Sequence, residues 1–291
     1  MKGIVLAGGT GTRLHPITLP VSKQLLPVGN KPMIYYPISV LMVAGVQDIL
    51  LITRPADVPM FRTLLGDGTH LGLNISYAEQ PHPRGIAEAL IIGADHIGQE
   101  HCALVLGDNI FHGTRFGRLL QSETRTMDGC TLFGYRVPDP ERYGVGVTDE
   151  DGRLIAIEEK PSSPRSDLAI TGLYLYDNEA VDIAKNIRPS ARGELEITDV
   201  NRIYLQRDRA KLVDLGRGFA WLDTGTPESL LQAGQYVSML EERQGVQIAC
   251  LEELALRMGF IDAESCHRLG ERMAGSGYGR YLMSIARELA S

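Results

Sequence analysis

Glycines at 8, 9 and 11, an arginine at 13 and a lysine at 23 form a set suited to holding a polyphosphate. They lie in Gly3-Ile-Val-Leu-Ala-Gly-Gly-Thr-Gly-Thr-Arg-Leu-His-Pro16, followed by Val21-Ser-Lys-Gln-Leu-Leu-Pro-Val28. Ile4 to Leu6 make a short buried strand, and the glycines let the backbone turn without a Cβ to keep a ligand away. The amide N–H groups of such a loop form an anion nest, to which Arg13 adds a fixed guanidinium and Lys23 a mobile point charge. A Walker A loop is excluded, because Thr12 and Arg13 follow Gly11 where Lys-Ser/Thr is required. The dinucleotide fingerprint fails too, with Leu14 in place of its third glycine, which disfavours an NAD-dependent dehydrogenase. A plain glycine turn between strand and helix gives the same local pattern. Arg13 and Lys23 at fixed offsets favour the phosphate reading.

Further candidates stand at the ends of apolar runs. Cys102-Ala-Leu-Val-Leu106 runs into Gly107-Asp108-Asn109, which places Asp108 to hold Mg²⁺ against phosphate oxygens or, alternatively, to cap a helix or an Asx-turn. Gln80 ends Asn74 to Gln80, and its amide can pair with a nucleobase edge or simply be solvated. Arg192 sits in a polar turn where it can reach a triphosphate or merely flank a helix. Asp223 ends an apolar run, Gly225 turns the chain, and Thr226-Pro227 supplies an N-cap with proline at the first helical position. Glu158-Glu-Lys-Pro161 offers a carboxylate for diols and an ammonium for a phosphate, or a solvated edge.

The elements that must position these residues alternate. Strands at 48–53 and 74–80 and helices at 31–43, 56–65 and 86–93 follow the first strand, with Pro37 kinking the first helix or marking its start. This rhythm predicts an α/β fold with a mostly parallel sheet covered by helices on both faces and ligands beyond the strands' carboxyl ends. After a helix at 116–127 the chain turns strand-rich, at 131–137, 145–148, 154–159 and 169–176, with a hairpin turn at Asp149 to Gly152. From Glu228 it reads as helices at 228–243, 262–273 and 278–289, with Gly275 to Gly279 as a hinge.

A formal charge of -7 argues against a nucleic-acid surface and requires local cations plus a divalent metal at any polyphosphate site. There is no run of ~18 apolar residues and no signal-peptide pattern, so no membrane association and a cytoplasmic location are expected. Cys102, Cys130, Cys250 and Cys266 lack metal-site spacing and read as buried, reduced thiols.

The first two motifs, with Lys31-Pro-Met-Ile-Tyr-Tyr-Pro37, resemble the sugar-1-phosphate nucleotidyltransferases, in particular the branch that transfers a thymidylyl group to glucose 1-phosphate. The resemblance implies a Rossmann-like three-layer α/β/α fold with a mixed, mostly parallel sheet and a C-terminal helical extension. It divides the chain into a core at 1–227, with a nucleotide part to about 128 and a sugar part from about 129, and a helical region at 228–291 for packing and subunit contacts. The implied reaction is Mg²⁺-dependent and takes dTTP and glucose 1-phosphate to dTDP-glucose and pyrophosphate, a first step towards dTDP-deoxysugars such as dTDP-rhamnose. Uridylyl transfer from UTP, another hexose 1-phosphate, or a non-catalytic sugar-nucleotide sensor are the alternatives.

By resemblance, Leu6, Gly8, Gly9, Thr10, Gly11, Thr12, Arg13, Gln24, Gln80, Gly85, Asp108 and Arg192 serve the nucleotide, and Asp108 and Asp223 share the metal. Tyr143, Gly144, Glu159, Lys160, Ile170 and Thr171 serve the sugar phosphate, while Arg13, Lys23, Asp108, Lys160 and Asp223 carry the catalysis. A homotetramer with feedback inhibition by a dTDP-deoxysugar is likewise implied. The chain departs from the family pattern at Arg84, where Asp is usual, at Glu88, where Gln is usual, and at the small Gly146 and Val147 after Tyr143-Gly-Val.

Overall fold

Strand β1 (Lys2–Ala7) sends Ile4 into one apolar cluster and Val5 and Ala7 into another, so the sheet it belongs to must be covered on both faces. The structure, a computed structural model, describes residues 1–290. After β1 come a short hairpin, β2 (Pro27–Val28) and β3 (Lys31–Pro32), then α1 (Tyr35–Val43), β4 (Asp48–Thr53), α2 (Val58–Leu65) and β5 (Asn74–Glu79). Helices α3 (Glu88–Ile92) and α4 (Ala94–Ile97) lead to β6 (Cys102–Leu106), β7 (Asn109–Gly113) and α5 (Phe116–Thr126). The strand-rich part holds β8 (Cys130–Arg136), β9 (Gly144–Thr148), β10 (Leu154–Glu159) and β11 (Leu168–Tyr176). It continues through α6 (Glu179–Asn186), α7 (Ile197–Gln206), β12 (Ala210–Asp214) and β13 (Phe219–Asp223). The chain closes with α8 (Pro227–Gln244), α9 (Leu251–Arg257), α10 (Ala263–Glu271) and α11 (Gly277–Ala290).

The main sheet runs β10-β9-β11-β6-β1-β4-β5, parallel from β6 to β5 and antiparallel where β11 joins β6. One face packs on α1, α2, α5 and α9, and the other on α3, α4, α6 and α7, giving the three expected layers. β11 is the strand that opens the site. Along one edge it pairs β8; along the other it pairs β9 at Ala169 and β6 only from Leu173 onwards. Residues 170–172 are thus left without a strand on that edge, at the carboxyl end of β6, and the cleft forms in this split.

Three local expectations change. The helix expected over 31–43 begins at Tyr35, since Lys31 pairs with Val28 in the hairpin. Pro37 then falls in its first turn, where no intrahelical N–H is needed. The C-terminal region contains α9 as well, too short to show a clear period, with Leu251 and Ala255 buried. The expected hinge at 275–279 is instead a packed crossing. Gly277 to Gly279 form the first turn of α11, and a Cβ on Gly279 would stand 2.2 Å from the Met273 carbonyl oxygen.

α8 is fixed to the core by a buried ion pair: Lys31 Nζ lies 2.7 Å from Glu241 Oε1, with side chains only 1% and 8% exposed. Lys31 also donates to Asn30 Oδ1 and Gln247 Oε1, and Glu241 Oε1 accepts the Ile248 N–H at 2.8 Å. All four cysteines are free and buried.

Candidate active site

The cleft is about 350 Å³ and takes its walls from strand ends and the loops after them. Its floor is built from β1, β6 and the turn after each. Leu6 and Gly9 line it, as do Gln24 and Arg13, while Thr10 and Thr12 are exposed beside them. Gly11 adopts φ +63, the one left-handed residue of the three loop glycines. Gly8 is required for a different reason: a Cβ there would stand 2.3 Å from Gln80 Oε1.

Asp108 follows β6 and leads into a strand, so it caps no helix. Its Oδ2 lies 2.6 Å from Lys23 Nζ, and Oδ1 accepts from Asn109 Nδ2 at 2.9 Å. Lys23 is therefore a buried, fixed charge here. Asp223 ends β13, whose pairing with β7 puts it opposite Asn109 and so next to Asp108. Burial works to raise the Asp108 carboxyl, but the Lys23 ammonium and the bonds from Lys23 and Asn109 outweigh it, and its pKa falls below the usual value. Asp223 goes the other way: burial and then the Asp108 charge push it up, against the pull of Lys23, Arg13 and Arg142.

Two carboxylates repelling one another on a partly dry floor fit a hard divalent cation, which would relieve that repulsion. The pair supplies only part of a shell, because no cluster of three or more His, Cys, Asp or Glu suited to a metal occurs among the described residues. The remaining ligands would be phosphate oxygens and water, the usual arrangement where a cation is shared with a polyphosphate.

Asn109 joins the two halves of the site. Its Oδ1 accepts from Gly172 N–H in the gap of β11 (3.0 Å) and from Trp221 Nε1 (2.6 Å), while its Nδ2 holds Asp108. Trp221, the chain's one tryptophan, carries the Tyr143 ring edge-on at 5.1 Å. This places Tyr143 and Gly144 on the far wall of the cleft. There Glu159, opposite Gly144 in the β9–β10 register, accepts from Thr198 Oγ1 at 2.5 Å. Lys160 adopts a left-handed φ of +42, its N–H donates to the Tyr143 carbonyl, and its ammonium is about half exposed, 3.8 Å from Glu159 Oε1.

The loop carrying Gly85 is stapled across the cleft to the turn before α7. Leu195 N–H donates to Arg84 O at 2.7 Å, and Ala87 N–H donates to Leu195 O at 3.2 Å. Gly85 has φ +103, and a Cβ there would stand 2.3 Å from Leu195 O, so the position admits glycine alone. Arg192 lines the cleft from the same turn, held by Glu196 at 2.9 Å and by Glu159 and Glu194 at 3.5 Å, which sets it among the residues around Glu159.

The structure thus brings to one cleft Leu6, Gly9, Arg13, Gln24, Gln80, Gly85, Asp108, Tyr143, Gly144, Glu159, Lys160, Ile170, Arg192 and Asp223. Lys23 lies behind Asp108 rather than on the wall, and Thr171 is fully buried beneath it, its hydroxyl without a hydrogen-bond partner. Sequence reasoning passed over Asn109, Arg142, Thr198 and Trp221. A carboxamide directly after a strand-end Asp, and a lone Trp two residues before another, were the available signals.

The fold and cleft have relatives. Residues 2–239 match the family model described as nucleotidyl transferase. A glucose-1-phosphate thymidylyltransferase from Neisseria meningitidis is 54% identical over 99% of this chain and 100% of its own length. The protein of the same name from Mycobacterium tuberculosis is 52% identical over 98% and 99%. Among solved structures, a putative glucose-1-phosphate thymidylyltransferase from Bacillus anthracis in complex with a sucrose aligns with TM-score 0.76 and 40% identity, covering 82% of this chain and 95% of that one. A UDP-glucose pyrophosphorylase bound to UDP-glucose shares the fold at TM-score 0.69 and 24% identity, over 81% of this chain and 97% of its own. The chain belongs to the nucleotidyl transferase family, and within it is similar over nearly its whole length to the glucose-1-phosphate thymidylyltransferases.

Proposed function

We propose that the protein transfers a thymidylyl group from dTTP to α-D-glucose 1-phosphate, releasing pyrophosphate and forming dTDP-glucose. The observation that supports this most is one cleft with a polyphosphate end, Arg13 and the Lys23–Asp108–Asp223 cluster, facing a wall with a carboxylate and an ammonium, Glu159 and Lys160. The length and identity of the match to thymidylyltransferases favour this substrate pair over others.

A phosphate oxygen of glucose 1-phosphate attacks the α-phosphorus; the new P–O bond forms as the bond from the α-phosphorus to the bridging oxygen breaks, and pyrophosphate departs with the electron pair. The nucleophile is already ionised near neutral pH, so no general base is needed, and the site's task is to align two polyanions and balance charge. Arg13 faces the triphosphate, Lys160 the sugar phosphate, and Lys23 keeps Asp108 ionised and oriented. Mg²⁺ held by Asp108 and Asp223 would supply charge neutralisation on the phosphate oxygens. Gln80 and the Gly85 backbone serve the base, Gly144 and Glu159 the glucose hydroxyls, and Arg192 the substrate phosphates once released from its carboxylates.

In this reading residues 1–227 carry the chemistry, nucleotide side to about 128 and sugar side beyond, and 228–291 make the subunit contacts of a homotetramer open to feedback by a dTDP-deoxysugar. Exposed Leu231 and Met239 on α8 suit such contacts, and four buried free thiols suit a cytoplasmic setting. No helix among the described residues is long and apolar enough to cross a membrane.

The test is pyrophosphate release with Mg²⁺ and glucose 1-phosphate, run with dTTP, UTP, ATP and GTP. Turnover with dTTP at least equal to that with UTP is expected; faster turnover with UTP makes the protein a uridylyltransferase, and silence with all four overturns the reaction.

A further inference from the structure

On the cleft wall that carries Lys160 and Arg192, those two cations stand among three carboxylates, Glu159, Glu194 and Glu196. Glu159 has a use there in the glucose hydroxyls. Glu196 has none so far, and a carboxylate beside a phosphate site repels the ligand. It is also the best shielded of the three, its side chain 13% exposed against 26% for Glu159 and 38% for Glu194. Its Oε1 accepts from Arg192 Nη2 at 2.9 Å and from Ser190 Oγ at 2.7 Å. Every ion pair of Arg192 runs through Nη2, and no acceptor among the described residues bonds its Nε–H or its two Nη1–H groups.

The two partners are held differently. Leu195, just before Glu196, is bonded to the loop across the cleft, and Ile197, just after it, is buried at the start of α7. Arg192 rides on a turn whose backbone bonds stay within 190–194: Gly193 N–H to Ser190 O and Ser190 N–H to Glu194 O, both at 2.8 Å. Gly193 at its tip has φ +76, with nothing within 4 Å of where a Cβ would stand. The glutamate is thus the fixed member of the pair and the arginine the mobile one.

We infer that Glu196 is the positioning residue of Arg192: it holds Nη2 as a pivot and leaves the other donors of the guanidinium to grip the phosphate of glucose 1-phosphate. Resting on the sugar-phosphate reading above, this adds how that phosphate is met. Release of Arg192 is release from Glu159 and Glu194, both at 3.5 Å, while the shorter and better shielded bond to Glu196 stays. The same step frees Glu159 for the hydroxyls. The guanidinium is already gathered at the wall, so its loss of rotamer freedom precedes ligand binding instead of opposing it.

Steady-state kinetics with dTTP, glucose 1-phosphate and Mg²⁺ tests this in the wild type, Glu196→Gln, Arg192→Ala and the double variant. Glutamine keeps the shape at 196 and an acceptor for Ser190, but removes the charge that holds the guanidinium. On charge alone, taking a carboxylate from the wall should lower the KM for glucose 1-phosphate. The pivot predicts the opposite, a rise of about 10-fold, the worth of one arginine side chain's freedom, with the KM for dTTP unchanged. Glu196→Asp, which withdraws the carboxylate by one methylene, should show a rise of the same sign and carries the test if the glutamine variant does not fold. In the Arg192→Ala background, Glu196→Gln should no longer raise that KM. A KM for glucose 1-phosphate that stays level or falls in Glu196→Gln overturns the pivot. So does a rise that persists without Arg192, or one shared equally by dTTP, since either marks a structural role. A wild type that does not use glucose 1-phosphate overturns the sugar-phosphate reading itself, and this assignment with it.

Discussion

Glu241 and Lys31 form an ion pair that water scarcely reaches, and breaking it from one side should cost far more than removing it whole. With Lys31→Met the carboxylate keeps only the Ile248 N–H; with Glu241→Gln the ammonium keeps the Asn30 and Gln247 amide oxygens and a neutral oxygen at 241. Each single change leaves one buried charge uncompensated, at about 3–5 kcal/mol. The glutamine variant falls at the lower end, since three neutral acceptors still face the ammonium. In Lys31→Met/Glu241→Gln no charge remains, the volumes are nearly kept, and the amide oxygen at 241 can still accept from Ile248. Its expected loss is at most about 1–2 kcal/mol. The two singles together amount to about 6–10 kcal/mol, so the coupling energy is large and its sign is fixed in advance. Urea unfolding followed by far-UV circular dichroism on all four proteins gives the cycle. A double variant as unstable as the sum of the singles would refute the argument that desolvated charge, and not local packing, sets the cost. Pyrophosphate release should survive in the double variant, because the pair lies some four helical turns along α8 from Thr226.

Lys160→Ala should raise the KM for glucose 1-phosphate by about 10–100-fold, the worth of one charge-assisted contact, while leaving dTTP affinity in place; equal loss of both would contradict its assignment. Asp223→Asn should cut turnover by about 10²–10³-fold. The same variant should melt at or above the wild type in metal-free buffer. A carboxyl whose folded pKa is raised is costly when ionised: stability is gained as pH falls through the folded pKa and is missing above it, and asparagine removes that cost at neutral pH. A lower melting temperature for Asp223→Asn would contradict the repulsion with Asp108. Gly85→Ala meets both a φ of +103 and the Leu195 carbonyl, and should lower stability by about 1–3 kcal/mol while weakening dTTP binding in a fluorescence titration. Unchanged melting and binding would mean the loop yields freely.

Much of this protein could be read without its structure because the signals are local. The strands read at 48–53, 102–106 and 154–159 coincide with β4, β6 and β10, since residue types along a short run are enough to declare a strand. Thr226 and Pro227 start α8 as read, with Thr226 Oγ1 accepting the Ser229 N–H, because a cap is settled within four residues. The short edge strand β12 and the seven-residue α9 were missed. Neither is long enough for its period to stand out, and both are held by packing on partners far away in sequence.

By itself the sequence determined the strand–helix alternation, the glycine loop after the first strand, and the strand-end carboxylates Asp108 and Asp223, all consequences of residue type at short spacing. Only the tertiary structure decided which charges meet. Lys23 turns to Asp108 across 85 residues, Lys31 to Glu241 across 210, and Asn109 draws Gly172 and Trp221 to a single oxygen. Such pairings follow from how buried polar groups must be satisfied once the sheet has brought distant strands together. The same holds for the Gln80 amide, whose direction is set by a glutamate on the next helix and a carbonyl in the loop between. A side chain's chemistry is written in the sequence; its protonation, orientation and partner belong to the fold, because they depend on what else was removed from water beside it.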